Sequence, residues 1–377
     1  MTGSQDQLRV LHVVATGTLR GAELFASELA AALPEWFEQR FVVLRPPLAD
    51  GLFEGQRVDV VDSHLSVGGL RLDLRAANRL RSAMHRWRPD VVTAHGGEAF
   101  KTVAAGAVGL AVPVLYRKIG SAPPWLQGGI RLRAHRRLLR RADVIVAVAE
   151  SVKRELVSLF RIPGGDVVVV PPGVDPVRLR PTRTREEVRR ALGIDADASV
   201  VLSLGALNWE KDPLTHLEIT LPALGSGRVV HVFAGDGPLR GELGSAAARE
   251  RVEEGVRILG ARSDVGDLLG ASDVMLLASR TEGMPKCLME AGMAGLPSVA
   301  FDVAGVTEVI EDGRSGSVLP RGDVRGMREA LLALLSDPVL RASMGGQART
   351  FCERFDIGRV AARYEDLYRR MRERDAA

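Results

Sequence analysis

The sequence predicts an α/β protein built from two doubly wound parallel sheets with helices on both faces. Three observations predict it. Short β-branched runs alternate with helical patterns along nearly the whole chain. The series runs once, stops at Pro171-Pro172-Gly173-Val174-Asp175-Pro176, and runs again. At 377 residues the chain is too long for one ordinary core and comfortable for two.

In the first series, Leu8 to Ala15 is a buried strand, followed by the loop TGTLRG and an alanine-rich helix from Ala22 to Leu33. Strands are expected at Phe41 to Leu44, Val58 to Val61, Asp90 to His95, Pro113 to Tyr116, Asp143 to Ala149 and Asp166 to Pro171. After the proline-rich break, RLRPTRTREEVRRALGI reads as a linker with a short exposed helix. The second series places strands at Ser199 to Gly205, Arg228 to Gly235, Val256 to Gly260, Asp273 to Ser279 and, completing it, Pro297 to Phe301. The expected domains are 1–174 and 175–357, with a last helix over about 358–377 crossing back onto the first.

Composition narrows the function. Apolar residues make up 46% and charged residues 26%, the balance of a globular enzyme. A net charge of +4 suits anionic small molecules or an anionic membrane surface and is too weak for nucleic acid. Two cysteines, Cys287 and Cys352, build no disulfide framework and fit a reducing cytoplasm. The N-terminus lacks the pattern of a signal peptide, and no run of about 18 apolar residues spans a membrane. The expectation is a cytoplasmic protein, at most peripheral on the inner membrane face. Arg131 to Arg141 carries six arginines and no acid. It reads as a solvated helix or as a contact for anionic lipid headgroups.

In open parallel sheets ligands bind beyond the carboxyl ends of the strands, so the residues there carry the candidate chemistry. The first loop, Thr16 to Glu23, offers glycine and a helix N-terminus to an anion, or is a plain turn. Gly235-Asp236-Gly237-Pro238-Leu239-Arg240-Gly241 narrowly misses G-x-G-x-x-G, and Glu253 and Glu254 precede the next strand, which disfavours a dinucleotide enzyme. The sharpest segment is Glu282 to Ala291. Pro285 suits the first position of a helix, leaving the amides of Lys286, Cys287 and Leu288 to face a diphosphate. Glu290, among apolar neighbours on that helix, needs a partner. Lys211, after a strand, is placed to neutralise a leaving phosphate. His95 ends a strand of the first domain and is either structural or part of the site. Asp195-Ala196-Asp197 precedes a strand and reads as a solvated turn, and no Cys/His spacing makes a zinc site.

Together these segments resemble the retaining glycosyltransferases of family four, which adopt the GT-B fold of two Rossmann-like domains facing across an interdomain cleft. The likeness runs in order through RGAE, DVVTAHG, RADVIVAVAESVK, VVVVPPGVD, LGALNWEKD, FAGDGPLR and EGMPKCLMEAGMAGLPSVAFDVAGVTEVIEDGRSG. It implies transfer from a nucleotide diphosphate sugar to a glycan, a lipid-linked or a small-molecule acceptor, with neither metal nor cofactor. Glu282 then contacts donor-sugar hydroxyls, Glu290 holds the ribose, and Lys211 neutralises the diphosphate. Gly21, Gly237 and Met284, Pro285, Lys286, Cys287 and Leu288 assist donor binding. Arg262 lies along the nucleobase, and His95 near the transferred sugar or the acceptor. Three departures stand out. Ala206 replaces a basic residue, and Arg20, in place of a glycine, is a candidate to restore that charge. Ile119 stands where a histidine is common, leaving Arg117 or Lys118 to take a phosphate or acceptor contact. A nucleotide-sugar epimerase and a non-catalytic nucleotide-sugar-binding partner are the rival readings.

Overall fold

A computed structural model describes residues 7–18, 21–63, 73–122, 126, 129–225 and 227–376. The chain divides into two compact units, Met1–Gly173 with Ile357–Ala377, and Val174–Asp356.

The first unit contains β1 (Leu8–Val14), α1 (Gly21–Ala32), β2 (Phe37–Val43), β3 (Arg57–Val60), α2 (Leu74–Trp87), β4 (Val91–His95), α3 (Gly97–Gly106), β5 (Val114–Lys118), α4 (Gly129–Leu139), β6 (Val144–Ala147), α5 (Glu150–Ser158) and β7 (Val167–Val169). Its sheet runs β3-β2-β1-β4-β5-β6-β7, all parallel. Central parallel strands are covered on both faces, which is why β1, β4 and β5 are buried almost without interruption. Val10, Phe25, Leu29, Val91 and Leu115 form one core with Val360, Tyr364 and Tyr368 of the C-terminal helix, Ile357–Ala376.

The second unit opens with α6 (Arg185–Ala191) and continues through β8 (Ser199–Leu204), α7 (Pro213–Leu224), β9 (Val229–Ala234), α8 (Arg240–Arg249), β10 (Val256–Gly260), α9 (Val265–Ala271), β11 (Val274–Leu277), α10 (Lys286–Ala294), β12 (Ser298–Asp302), β13 (Gly316–Pro320), α11 (Val324–Ser336) and α12 (Pro338–Cys352). Its parallel sheet runs β10-β9-β8-β11-β12-β13. The direction of winding reverses between β8 and β11, and in the first unit between β1 and β4. The loops leaving those strands therefore part to opposite faces of the sheet and leave a crevice at their carboxyl ends.

Two expectations need correction. Pro297 to Phe301 does not complete the second sheet, because β13 lies outside it. With only one fully buried residue and a terminal proline, that edge strand lacks the continuous apolar run of its neighbours. The short helix expected in the arginine-rich stretch after the break is present as α6, but its arginines are not all exposed. Arg183 pairs with Asp267 at 2.8 Å, and Arg185 and Arg189 with Asp273 at 2.7 and 2.9 Å. Arg189 is buried and also donates to the carbonyls of Ala196, Ala198 and Ala271. Thr184 and Glu187 form a capping box at the start of α6. Asp195 and Asp197 are exposed before β8. Among the described residues no helix is long and apolar enough to cross a membrane.

Candidate functional site at the β8–β11 crevice

The loop after β8 carries Lys211 and the loop after β11 carries Glu282, so the reversal of winding brings them together. Lys211 Nζ donates to Glu282 Oε1 at 2.6 Å. Burial opposes the charge on Lys211, but the carboxylates of Glu282 and Glu290 outweigh it and hold the ammonium above its ordinary range. The two loops are also joined through Arg280, whose N–H donates to Glu210 O at 2.8 Å and whose Nε donates to Asp212 Oδ2 at 2.7 Å.

Two glycines let neighbouring loops pack against these. Gly237, at φ +159°, brings the loop after β9 against the one after β8, where a Cβ would stand 2.4 Å from Leu207 O. Gly305, at φ +78°, backs the Glu282 turn, and a Cβ there would lie 2.3 Å from Gly283 O and 2.9 Å from Met284 Cα.

Helix α10 follows. Pro285 is its N-cap, with Lys286 the first helical residue, one position later than expected, and no side chain caps the helix. Of the three amides expected to be open, that of Leu288 donates to Pro285 O at 3.1 Å, because the first turn tightens. Cys287 is buried, and its thiol is pushed up to about 12 by that burial and by Glu282 and Glu290, with Lys211 opposing. It is a protonated, unreactive thiol. Glu290, 7% exposed, has the partner its surroundings demand: it is ion-paired with Arg178, and Lys286 Nζ stands 3.9 Å away. Sequence reasoning missed Arg178, which lies 112 residues from its partner in a stretch read as linker. The crevice thus gathers Lys211, Lys286 and Arg178 around Glu282 and Glu290.

Arg262 is held by Asp264 through contacts of 2.8 and 2.5 Å, because the acid two residues on captures its guanidinium. Arg20 falls outside the described residues, while Gly21 is the exposed first residue of α1. The first loop is fixed by Glu23, a buried acid that accepts from Thr16 N at 3.2 Å and Thr16 Oγ1 at 2.7 Å.

His95 and Arg117 are both buried. Both belong to central strands covered on both faces, and each is 2% exposed. Gln39 Nε2 donates to Ala30 O, so Gln39 Oε1 accepts from His12 Nε2 at 3.1 Å. His12 Nδ1 then accepts from His95 Nε2 at 3.0 Å. Burial, reinforced by His12 and Arg117, keeps His95 neutral with its pKa well below the ordinary histidine value. Arg117 lies over the ring of Phe25 at 3.8 Å. Lys118 is also buried, turned to Gly120 O and 3.8 Å from Glu155.

Comparison with known proteins agrees with this architecture. Residues 19–178 match the family described as Glycosyltransferase Family 4, and residues 198–337 match Glycosyl transferases group 1. A D-inositol 3-phosphate glycosyltransferase of Kineococcus radiotolerans is 28% identical, with 94% of this chain and 91% of the relative covered. N-acetyl-alpha-D-glucosaminyl L-malate synthase of Bacillus anthracis is 27% identical over 61% of this chain and 60% of its own length. Among solved structures, Anabaena HepE in complex with UDP and glucose has a TM-score of 0.84 at 20% identity, with 96% of this chain and 99% of that chain covered. With two parallel-sheet α/β units and a family match in each, the chain belongs to the group 1 glycosyltransferases of family four and has the GT-B fold.

Proposed function

We propose that this enzyme is a retaining, metal-independent glycosyltransferase that takes its sugar from a nucleoside diphosphate sugar bound at the β8–β11 crevice. The observation that carries the reading is Lys211 held against Glu282 beside the uncapped start of α10. As the bond from the sugar's anomeric carbon to the diphosphate breaks, charge develops on the departing oxygen, and Lys211 and the first amides of α10 stabilise it. Glu282 holds sugar hydroxyls and releases Lys211 to the diphosphate. Glu290 holds the ribose, exchanging its contact with Arg178. The acceptor hydroxyl attacks the face the diphosphate leaves, and its proton passes to the departing diphosphate.

The names of the relatives guide the choice of probes. One is named for inositol 3-phosphate and another for malate, both small anions, and a structural neighbour holds UDP and glucose. UDP-sugars with small anionic acceptors are therefore the first pairs to assay. Nucleoside diphosphate release that requires an acceptor, survives EDTA and yields a product of unchanged anomeric configuration by NMR supports the proposal. Release unaffected by acceptor, with the sugar epimerised, refutes it in favour of an epimerase.

Contact with an anionic lipid surface fits α4, where Arg131, Arg133, Arg137 and Ile130 are exposed and Arg140 is exposed just beyond its end. Co-sedimentation with phosphatidylglycerol vesicles, lost in Arg133→Glu/Arg137→Glu, tests it. Sedimentation equal for wild type and variant refutes it.

A further inference from the structure

Beneath the Glu282 loop lies a chain of buried polar side chains that the proposed chemistry leaves unused. Ser203 on β8, His216 and Thr220 on α7, and His231 on β9 are all buried. The backbone N–H of Ala278 donates to His216 Nε2 at 2.7 Å. A ring nitrogen that accepts carries no proton, so His216 is the Nδ1–H tautomer and donates to Ser203 Oγ at 2.8 Å. Ser203 Oγ also meets His231 Nε2 at 2.9 Å and Leu276 O at 3.2 Å, and His231 Nδ1 meets Thr220 Oγ1 at 2.9 Å. One imidazole thereby ties α7 and β8 to the first residue after β11.

The position of that bond matters. Ala278 begins the loop that carries Glu282, and His216 lies on the helix entered directly from Lys211 and Asp212. Farther along the same loop, Arg280 is bound to Glu210 O and Asp212 Oδ2. The Glu282 loop is therefore sewn, bond after bond, to the segment that presents Lys211. Burial, aided by the charge on Lys211 and opposed by Asp212, keeps the His216 ring neutral. Its acceptor nitrogen is thus available to Ala278 across the working pH range.

We infer that His216 is a positioning residue that sets Glu282 against Lys211 by holding the Ala278 amide. This rests on the donor-site reading, in which Glu282 meets the sugar and Lys211 the diphosphate. Glutamine can place a carboxamide oxygen where Nε2 accepts, whereas leucine fills the space without an acceptor. The test compares the full-length wild type, His216→Leu, His216→Gln and Ser203→Ala by calorimetry. The probes are UDP, GDP and ADP, each beside its glucose conjugate, with amide exchange read over 274–285.

The expected result for His216→Leu is at least a tenfold loss of the preference for the nucleotide sugar over its diphosphate. Affinity for the diphosphate alone should stay within about threefold, and Ala278 should exchange faster. His216→Gln restores the preference. Ser203→Ala, which leaves the Ala278 bond in place, shows a smaller loss and secures the test if His216→Leu folds poorly. An unchanged preference in His216→Leu, or equal losses of both affinities that glutamine does not rescue, overturns the inference while the donor site stands. A wild type that binds none of the probes overturns the donor-site reading, and this inference falls with it.

Discussion

Replacing Lys211 by methionine removes one charge and keeps most of the side-chain volume. In the free enzyme Glu282 then loses an ammonium at 2.6 Å while its own side chain is only 9% exposed. Stranding one member of a buried ion pair costs about 3–5 kcal/mol. The Lys211 side chain is 24% exposed, so water reaches the pair and repays part of the loss; about 2 kcal/mol of folding stability is expected to go. Urea unfolding measures it, and Glu282→Gln added to Lys211→Met should return most of it, because no stranded charge remains. Binding behaves differently. A charge-assisted hydrogen bond from Lys211 to a diphosphate contributes about 2 kcal/mol, or roughly 30-fold in affinity. Calorimetry with UDP should show that weakening in Lys211→Met and in the double variant alike. Glu282→Gln alone, which frees the ammonium, should bind UDP at least as tightly as wild type. A folded Lys211→Met that binds UDP with undiminished affinity refutes the assignment of Lys211 to the diphosphate.

Three further outcomes are expected. Arg178→Ala leaves buried Glu290 with only the more distant Lys286 of its two cationic partners here, lowering stability by about 2 kcal/mol in urea unfolding; Glu290→Gln in the same chain should recover most of that, and additive losses contradict the pairing. Gly305→Ala forces a left-handed backbone on alanine, costing about 1–2 kcal/mol, and drives its Cβ into Gly283 O. Its melting temperature should fall and its affinity for a nucleotide sugar drop more than that for the diphosphate, whereas an unchanged melting curve contradicts the packing. Acid should unfold the protein through its buried histidines: burial lowers His12 to about 4 and His216 to about 3, and holds His95 and His231 well below the ordinary 6.5. Folded values below the unfolded one mean that the unfolded chain takes up protons first. The stability of the neutral rings is thus intact above about pH 6.5 and declines by about 1.4 kcal/mol per pH unit for each histidine down to its folded pKa. Urea midpoints that stay flat from pH 6.5 to 5 contradict this.

What could be read in advance follows from which interactions are local. Strands β1, β4, β8 and β11 were legible because central parallel strands need unbroken apolar runs. β13 was not, since an edge strand with one buried side needs no such run. Lys211 and Glu282 could be singled out because each lies in the loop leaving a strand, and the order of the strands makes those loops neighbours. The same reasoning did not reveal that His95 and Arg117 are buried. Position in a strand does not reveal which way a side chain turns, and both turn into the core. Arg178 and Arg189 were hidden by a different cause. A charged stretch looks solvated until its distant carboxylates, Glu290 and Asp273, are known. The tie from His216 to Ala278 joins a side chain to a backbone amide 62 residues away, and no local pattern announces it.

The account centres on a leaving diphosphate received by Lys211 and the start of α10. The most direct measurement is a crystal structure of the enzyme with a nucleoside diphosphate sugar that calorimetry has shown to bind. The account predicts diphosphate oxygens within hydrogen-bonding distance of Lys211 Nζ and of the amides opening α10, with Glu282 on the sugar and Glu290 on the ribose. A nucleotide bound elsewhere on the chain, with the Lys211–Glu282 pair still closed, contradicts it.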